Sequence, residues 1–212
     1  MNIILFDSNR TNFYPLSYTR PISHFRIGIL TIKEKWEQYY KNVSVYTENY
    51  LSKKYSIISR KDNLWIDATV LPSNALITEF NSLRKGELLK QNGKVIAFRN
   101  ETNDQKKLNC IETTVSFHSI DDVWDIFTKN DYELRADFER LTKRRKSQAL
   151  NDTNTLVGDK IFIEKGAKVN CSILNAENGP IYIGKNAEVM EGSIIRGPFA
   201  MCENAVLKMG AK

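Results

Sequence analysis

Three arginines, Arg10, Arg20 and Arg26, crowd the stretch between Asp7 and the first glycine, Gly28, and Lys35 follows shortly after. Guanidinium groups present forked donors that match phosphate oxygens, so cations at this density suit a bound triphosphate. Their setting supports that chemistry. Asn2 to Phe6 is a short apolar run that reads as a buried strand, and it ends in the polar Asp7-Ser8-Asn9. An α/β domain takes its ligand outside the carboxyl ends of its strands, which makes Asp7 to Arg26 the segment where phosphates belong. For each cation the competing reading is an ordinary surface charge. A second candidate is Asp67, in Leu64-Trp65-Ile66-Asp67-Ala68, a carboxylate near a strand end that is either a metal ligand or a hydrogen-bonded sheet residue. Asn74, after Pro72, is a further polar candidate just past that run, and neither His24 nor His118 is assigned a role.

These residues need a scaffold, and hydrophobic spacing outlines one. Ile29, Ile32, Trp36 and Tyr39/Tyr40 recur at helical spacing, with Ser23 or His24 near the start and Lys33, Glu34, Lys35 and Glu37 outside the stripe. Val43 to Tyr46 reads as a second strand, Tyr55 to Ile58 as a weaker third, and Leu64 to Leu71 as another buried one. Such alternation argues an open, largely parallel α/β sheet. Gln91-Asn92-Gly93 between apolar runs signals a hairpin. Ser119-Ile120-Asp121-Asp122 resembles a helix-start box, and Leu134, Phe138 and Leu141 share one face of a later helix that runs into Lys143-Arg144-Arg145-Lys146. Trp65 and Trp124 read as core aromatics. Ser147 to Asn154 lacks periodicity, so the expected domains are 1–150, an α/β domain, and 155–212, a repeat region.

The repeat region has a period of six. Ile183, Val189, Ile195, Met201 and Leu207 form one register, and four residues after each come Ala187, Ser193, Phe199, Ala205 and Ala211, small except for Phe199. Five aliphatics in that register by accident is on the order of one in several hundred from average composition. Ordinary hairpins would show strict two-residue alternation, which Glu191, Gly192, Arg196 and Gly197 interrupt. Short strands with tight corners, stacked so that each coil lends the next its core and ladder, account for the period. Ile163, Ala167 and Val169 belong to an earlier, looser block, with an insert from Asn175 to Pro180. The pattern runs to Lys212 without a visible cap, an expectation of further coils or of a partner on the last one.

Composition restricts the function classes. Of 212 residues 42% are hydrophobic and 26% charged, as in soluble globular proteins. No run is long enough for a membrane span, and the amino terminus does not read as a signal peptide. Cys110, Cys171 and Cys202 match no metal or disulfide spacing and read as buried thiols of a cytoplasmic protein. The net charge of +6 is moderate, and Lys143 to Lys146 lacks the interleaved aromatics of a nucleic-acid site; a solvated helix end explains it.

The string Asn175-Ala176-Glu177-Asn178-Gly179-Pro180-Ile181-Tyr182-Ile183-Gly184, with Met190-Glu191-Gly192-Ser193 and Arg196-Gly197-Pro198, resembles the hexapeptide-repeat region of bacterial GlmU-like sugar nucleotidyltransferase/acetyltransferase proteins. Tyr14-Pro15-Leu16-Ser17-Tyr18-Thr19-Arg20-Pro21 is similar to the segment after the glycine-rich loop of sugar-nucleotide pyrophosphorylases, and Arg26 to Trp36 resembles the same GlmU-like group. The resemblance implies a nucleotidyltransferase-like, Rossmann-like open sheet followed by the first coils of a left-handed parallel β-helix, commonly a homotrimer. It implies transfer of a nucleotidyl group from a nucleoside triphosphate to a sugar 1-phosphate, in nucleotide-sugar synthesis of the UDP-N-acetylglucosamine type for the cell envelope. Arg20 and Arg26 would then act in catalysis, Arg10, Arg20, Arg26 and Lys35 in phosphate binding, Asn74 on the sugar, and Asp67 on Mg²⁺. Acetyl-CoA would be used only in a longer chain, since both histidines precede the repeats. The alternative is a non-catalytic regulatory or trimerisation domain of a hexapeptide-repeat acyltransferase. Two departures stand out: the loop before Gly28 has no glycine, and Ile22 stands where the family's lysine after the second proline is expected.

Overall fold

The computed structural model describes residues 1–212. The chain is mixed α/β and divides into two compact units, Met1–Arg26 with Leu30–Phe127, and Ile27–Ile29 with Thr128–Lys212. No helix is long and apolar enough to cross a membrane.

The first unit is built on a sheet of β1 (Asn2–Phe6), β2 (Val43–Tyr46), β3 (Asn63–Asp67), β4 (Glu87–Gln91), β5 (Lys94–Asn100) and β6 (Asn109–Glu112), in the order β2-β1-β3-β5-β4-β6. β1 pairs parallel with both β2 and β3. β5 runs antiparallel to β3 and β4, and β6 returns parallel to β4. All five residues of β1 are buried, as an unbroken apolar run requires when both faces of a parallel strand are covered. The β4–β5 turn has Asn92 and Gly93 at φ 51° and 80°, the left-handed pair that matches hairpin twist.

Helix α1 (Ile32–Glu37) starts on a capping box: the Thr31 hydroxyl accepts from the Glu34 N–H at 3.2 Å, and Glu34 Oε2 accepts from the Thr31 N–H at 2.7 Å. The helix therefore begins at Thr31 and not at Ser23 or His24, which lie in a separate turn, Ile22–His24. Trp36 is fully buried, donates its indole N–H to Val70 O at 3.1 Å and stacks on Phe80 of α2 (Asn74–Ser82).

Three expectations need correction in this unit. Tyr55 to Ile58 forms no strand; the Ile58 carbonyl is taken by Asn2 Nδ2 at 2.7 Å, a side chain, so no ladder is built there. The buried run from Leu64 ends as a strand at Asp67, where the Thr69 N–H turns back onto that carboxylate. Trp124 is 62% exposed, because it precedes a helical turn of only four residues, Asp125–Thr128, too short to bury a face.

In the second unit, nine short strands form three parallel triplets. They are β7 (Thr155–Val157), β8 (Ile161–Ile163), β9 (Lys168–Val169), β10 (Ile173–Asn175), β11 (Ile181–Ile183), β12 (Glu188–Val189), β13 (Ile194–Arg196), β14 (Phe199–Met201) and β15 (Val206–Leu207). The triplets are β8-β11-β14, β9-β12-β15 and β13-β10-β7, compatible with the start of a β-helix. Ile183 pairs with Met201 and Val189 with Leu207, each across three hexapeptides. Ile163 pairs with Ile183 and Val169 with Val189 over a span two residues longer, which accommodates the insert near Asn175 to Pro180. Ile163, Val169, Ile183, Val189, Ile195 and Met201 are buried in one cluster, with Ala167 and Ala187 beside them and Phe199, Ala205 and Leu207 packed against it. Successive coils also approach closely at Gly197, where a Cβ would lie 2.0 Å from Gly179 O.

Helix α3 (Asn130–Thr142) buries Leu134 and Phe138 against Phe162, Tyr182 and Ile29. Gly28 is needed in the adjoining turn, since it adopts φ 76° and a Cβ would sit 2.7 Å from Asp137 Oδ2 and Glu133 O. Its N–H donates to Asn130 Oδ1 at 2.8 Å, and that of Ile29 to Asp137 Oδ2 at 3.0 Å. Of the cysteines, Cys110 and Cys171 are exposed, contrary to the expectation of buried thiols; both lie at sheet or coil edges where the side chain faces away from the core.

Packing of the inward register predicts its energetics. Ile183→Ala should lower the unfolding free energy by about 2–5 kcal/mol, whereas Val206→Ala, at a position 47% exposed, should change it by less than about 0.5 kcal/mol. Urea titrations of both variants provide the comparison.

Candidate functional site

The site begins where β1 runs out of apolar residues. Asp7 follows Phe6 directly, and its carboxylate gathers three donors. Asp7 Oδ1 accepts from the Ile22 N–H at 3.0 Å, while Oδ2 accepts from Thr47 Oγ1 and Arg10 Nη1, each at 2.5 Å. Thr47 is the first residue past β2, so one carboxylate ties together the ends of two strands and the far side of the loop. Arg10 also donates to Ser17 O and, at 3.2 Å, to the Tyr50 hydroxyl, which donates to Tyr18 O at 3.0 Å. The loop is thereby folded into three short turns, Arg10–Phe13, Leu16–Tyr18 and Ile22–His24, with Phe13 buried against Phe25.

Burial raises the Asp7 pKa above its ordinary value, against the opposing pull of Thr47, Arg10 and the Ile22 amide. Its side chain is 2% exposed and that of Arg10 is 9% exposed. A buried pair of this kind has to stay paired, because removing one partner strands the other charge.

The proposed cations separate into different environments. Arg10 is spent on Asp7 and the loop. Arg20 is exposed. Arg26 is 44% exposed by side chain and lies 3.6 Å from Glu34 Oε2. Lys35 is fully buried and so is withdrawn from any phosphate in solvent; Ile32, Lys35 and Trp36 stand at i, i+3 and i+4 and share the inward face of α1, not its outer one. Asn74 is exposed at the first turn of α2, after the Ser73 cap.

Asp67 sits at the carboxyl end of β3, beside β1, and is 2% exposed. The Ser8 hydroxyl lies 2.8 Å from both of its oxygens, and Oδ1 also takes the Thr69 N–H at 2.9 Å. The single Ser8 proton and the Thr69 N–H fill about two of the roughly four acceptor sites of the carboxylate, and burial raises the pKa of the group. No group of three or more His, Cys, Asp or Glu side chains is placed to hold a metal ion. Asp67 is buried and is not among the residues that line the open cleft at the strand ends.

An open cleft of about 510 Å³ lies at the carboxyl ends of β1 and β2, lined by Asp7, Arg10, Thr47, Glu48, Asn49, Ser52, Tyr55 and Ile57 among others. Arg10 is the proposed site residue that lines it. Asp7, Thr47 and Glu48 were not among the candidates read from sequence; the available signal was a carboxylate within two residues of the end of each of the first two strands, Asp7 after Phe6 and Glu48 after Tyr46.

The buried Asp67 makes a signed prediction. A carboxyl with a raised folded-state pKa contributes stability that is fully present below the unfolded value of about 3.9 and is lost as pH rises through the folded value. Asp67→Asn retains an acceptor for Thr69 and a partner for Ser8. Its stability relative to wild type should therefore rise between pH 4 and pH 7 in urea titrations, and parallel behaviour of the two proteins would contradict the assignment.

No curated protein matches the chain. The strand ends, the arginine-bearing loop and the cleft all fall within residues 3–146, the span matched by the sugar nucleotidyl transferase family model, and the chain belongs to that family.

Proposed function

We propose that the protein is a sugar-1-phosphate nucleotidyltransferase of the GlmU-like group, making a nucleotide sugar of the UDP-N-acetylglucosamine type. The observation that carries this reading is the open cleft at the carboxyl ends of parallel strands, beside a loop whose Arg20 is exposed and makes no ion pair. In the reaction a phosphate oxygen of the sugar 1-phosphate attacks the α-phosphorus of the nucleoside triphosphate. The bond from that phosphorus to the β-bridging oxygen breaks, and pyrophosphate leaves. The attacking oxygen is already anionic, so no general base is required. What the protein must supply is alignment and positive charge where negative charge gathers. Arg20 and Arg26 are the residues that fit that task, and no step is assigned to Asp67. The parallel triplets are read as the first coils of a left-handed β-helix that assembles as a trimer.

A specific observation favours a second reading. The loop lacks glycine, and Arg10 is committed to Asp7, which suits a non-catalytic nucleotide-binding or regulatory domain of a hexapeptide-repeat acyltransferase. Pyrophosphate release with a panel of nucleoside triphosphates and hexose 1-phosphates separates the two. Turnover should appear with one pair and fall about 100-fold or more in Arg20→Ala and in Arg26→Ala, the scale of losing one charge-stabilising donor. Absence of turnover with every pair would leave the regulatory reading.

A further inference from the structure

A ligand of a doubly wound sheet is expected at the topological switch point, the crevice where connections leave the first strand in opposite directions. In this chain that crevice lies between β1 and β3, because the sheet order is β2-β1-β3. It is closed by side chains: Ser8 of the β1 loop is hydrogen-bonded at 2.8 Å to both oxygens of Asp67, which is 2% exposed. The opening lies on the other side of β1, toward β2.

The lining of that opening is wrong for phosphates. It holds two carboxylates, Asp7 and Glu48, against the single guanidinium of Arg10, which Asp7 already engages. A polyanion placed inside would meet net negative charge. An uncharged group rich in hydroxyl donors meets acceptors instead. Glu48 lies two residues beyond β2, on the cleft, with an exposed side chain that takes no capping bond from the helical turn after it. In dinucleotide-binding α/β folds a carboxylate beyond the phosphate-binding turn accepts from a ribose hydroxyl, and the exposed Glu48 carboxylate offers the same acceptor chemistry in this cleft. Tyr55 and Ile57 add an aromatic and an aliphatic wall, and the volume of about 510 Å³ falls within the range of small-ligand sites.

We propose that this β1–β2 cleft binds the nucleoside part of the nucleotide, with Glu48 accepting from the ribose hydroxyls, the base against the Tyr55 and Ile57 wall, and the phosphates outside. The assignment rests on the reading of the chain as a nucleotide-binding transferase, and it displaces the nucleoside from the switch point to the sheet edge.

Ligand-observed NMR with phosphate-free probes tests it: uridine, cytidine, adenosine and guanosine, 2′,3′-dideoxyuridine, and N-acetylglucosamine as a competing hydroxyl-rich ring. At least one ribonucleoside should bind, and affinity should fall about 10-fold or more in Glu48→Gln, the scale of a lost hydrogen bond to a charged group. The dideoxy analogue should bind wild type as weakly as uridine binds the variant, whose unchanged melting temperature would show that it folds. Failure of every nucleoside to bind, equal binding to wild type and variant, or saturation by N-acetylglucosamine in preference to nucleosides overturns the proposal. The enzymatic reading fails separately. Turnover with an unchanged nucleotide KM in Glu48→Gln would refute the cleft assignment and keep the enzyme, whereas Glu48-dependent nucleoside binding without turnover would keep the cleft and refute the enzyme.

Discussion

A carboxylate buried at the end of β1 has to be given its donors, and most of the front unit's functional surface follows from how Asp7 obtains them. The Ile22 amide, the Thr47 hydroxyl and the Arg10 guanidinium come from three separated points of the chain. Satisfying them fixes the return of the long loop, the end of β2 and the direction of Arg10 together. A glycine-rich loop leaves its N–H groups free to meet phosphates. Here the polar groups of the loop meet each other instead, through the Asp7 cluster and the bond from Arg10 to Ser17 O. Arg20 and Arg26 lie outside that cluster, Arg20 exposed and Arg26 beside Glu34, while the cleft at the strand ends carries the carboxylates of Asp7 and Glu48 against the guanidinium of Arg10.

The second unit obeys a different constraint with a similar form. None of its two- or three-residue strands could persist alone, since each makes too few ladder bonds and covers too little apolar surface. Stacking supplies both at once. The interior formed by Ile163, Ile183, Val189, Ile195 and Met201 is continuous across coils, and the corners repeat with it: Gly166, Asn186 and Asn204 all take positive φ at equivalent places, conformations that glycine and asparagine adopt at least cost. Tyr182 extends the same logic outward. Its hydroxyl donates to Glu164 at 2.6 Å, and Arg145, from the basic run, closes on the same carboxylate at 2.6 Å while lying over the Phe162 ring. One residue of the Lys143–Lys146 run is thus a structural clasp.

How much could be read in advance depended on whether a feature was periodic. β1 and β2 match the apolar runs residue for residue, the Asn92-Gly93 turn falls where its dipeptide stands, and the six-residue register leads directly to the shared interior. Residues whose environment is set by distant neighbours were harder. Lys35 reads as an outward charge, yet it shares the buried face of α1 with Ile32 and Trp36. Trp124 reads as core, yet its surroundings are too short to enclose it. Asp7 meets Thr47 across forty residues, and no local pattern announces that meeting. The polar cluster that shapes the cleft was therefore the least legible part of the site: Asp7 and Thr47 follow strands that the pattern locates, whereas Arg10 and Ile22 lie in turns of the loop that no periodicity marks.

Asp7 and Arg10 form one buried pair at the end of β1, and a double-mutant cycle measures their interdependence directly. Asp7→Asn, Arg10→Met and the double variant would be unfolded in urea under the same conditions. Each single variant strands a buried polar or charged partner, so Arg10→Met should cost about 3–5 kcal/mol, and the double variant should cost less than the two singles together by about 1–3 kcal/mol. Additivity to within about 0.5 kcal/mol would mean that the two side chains do not depend on each other and that something else holds the loop.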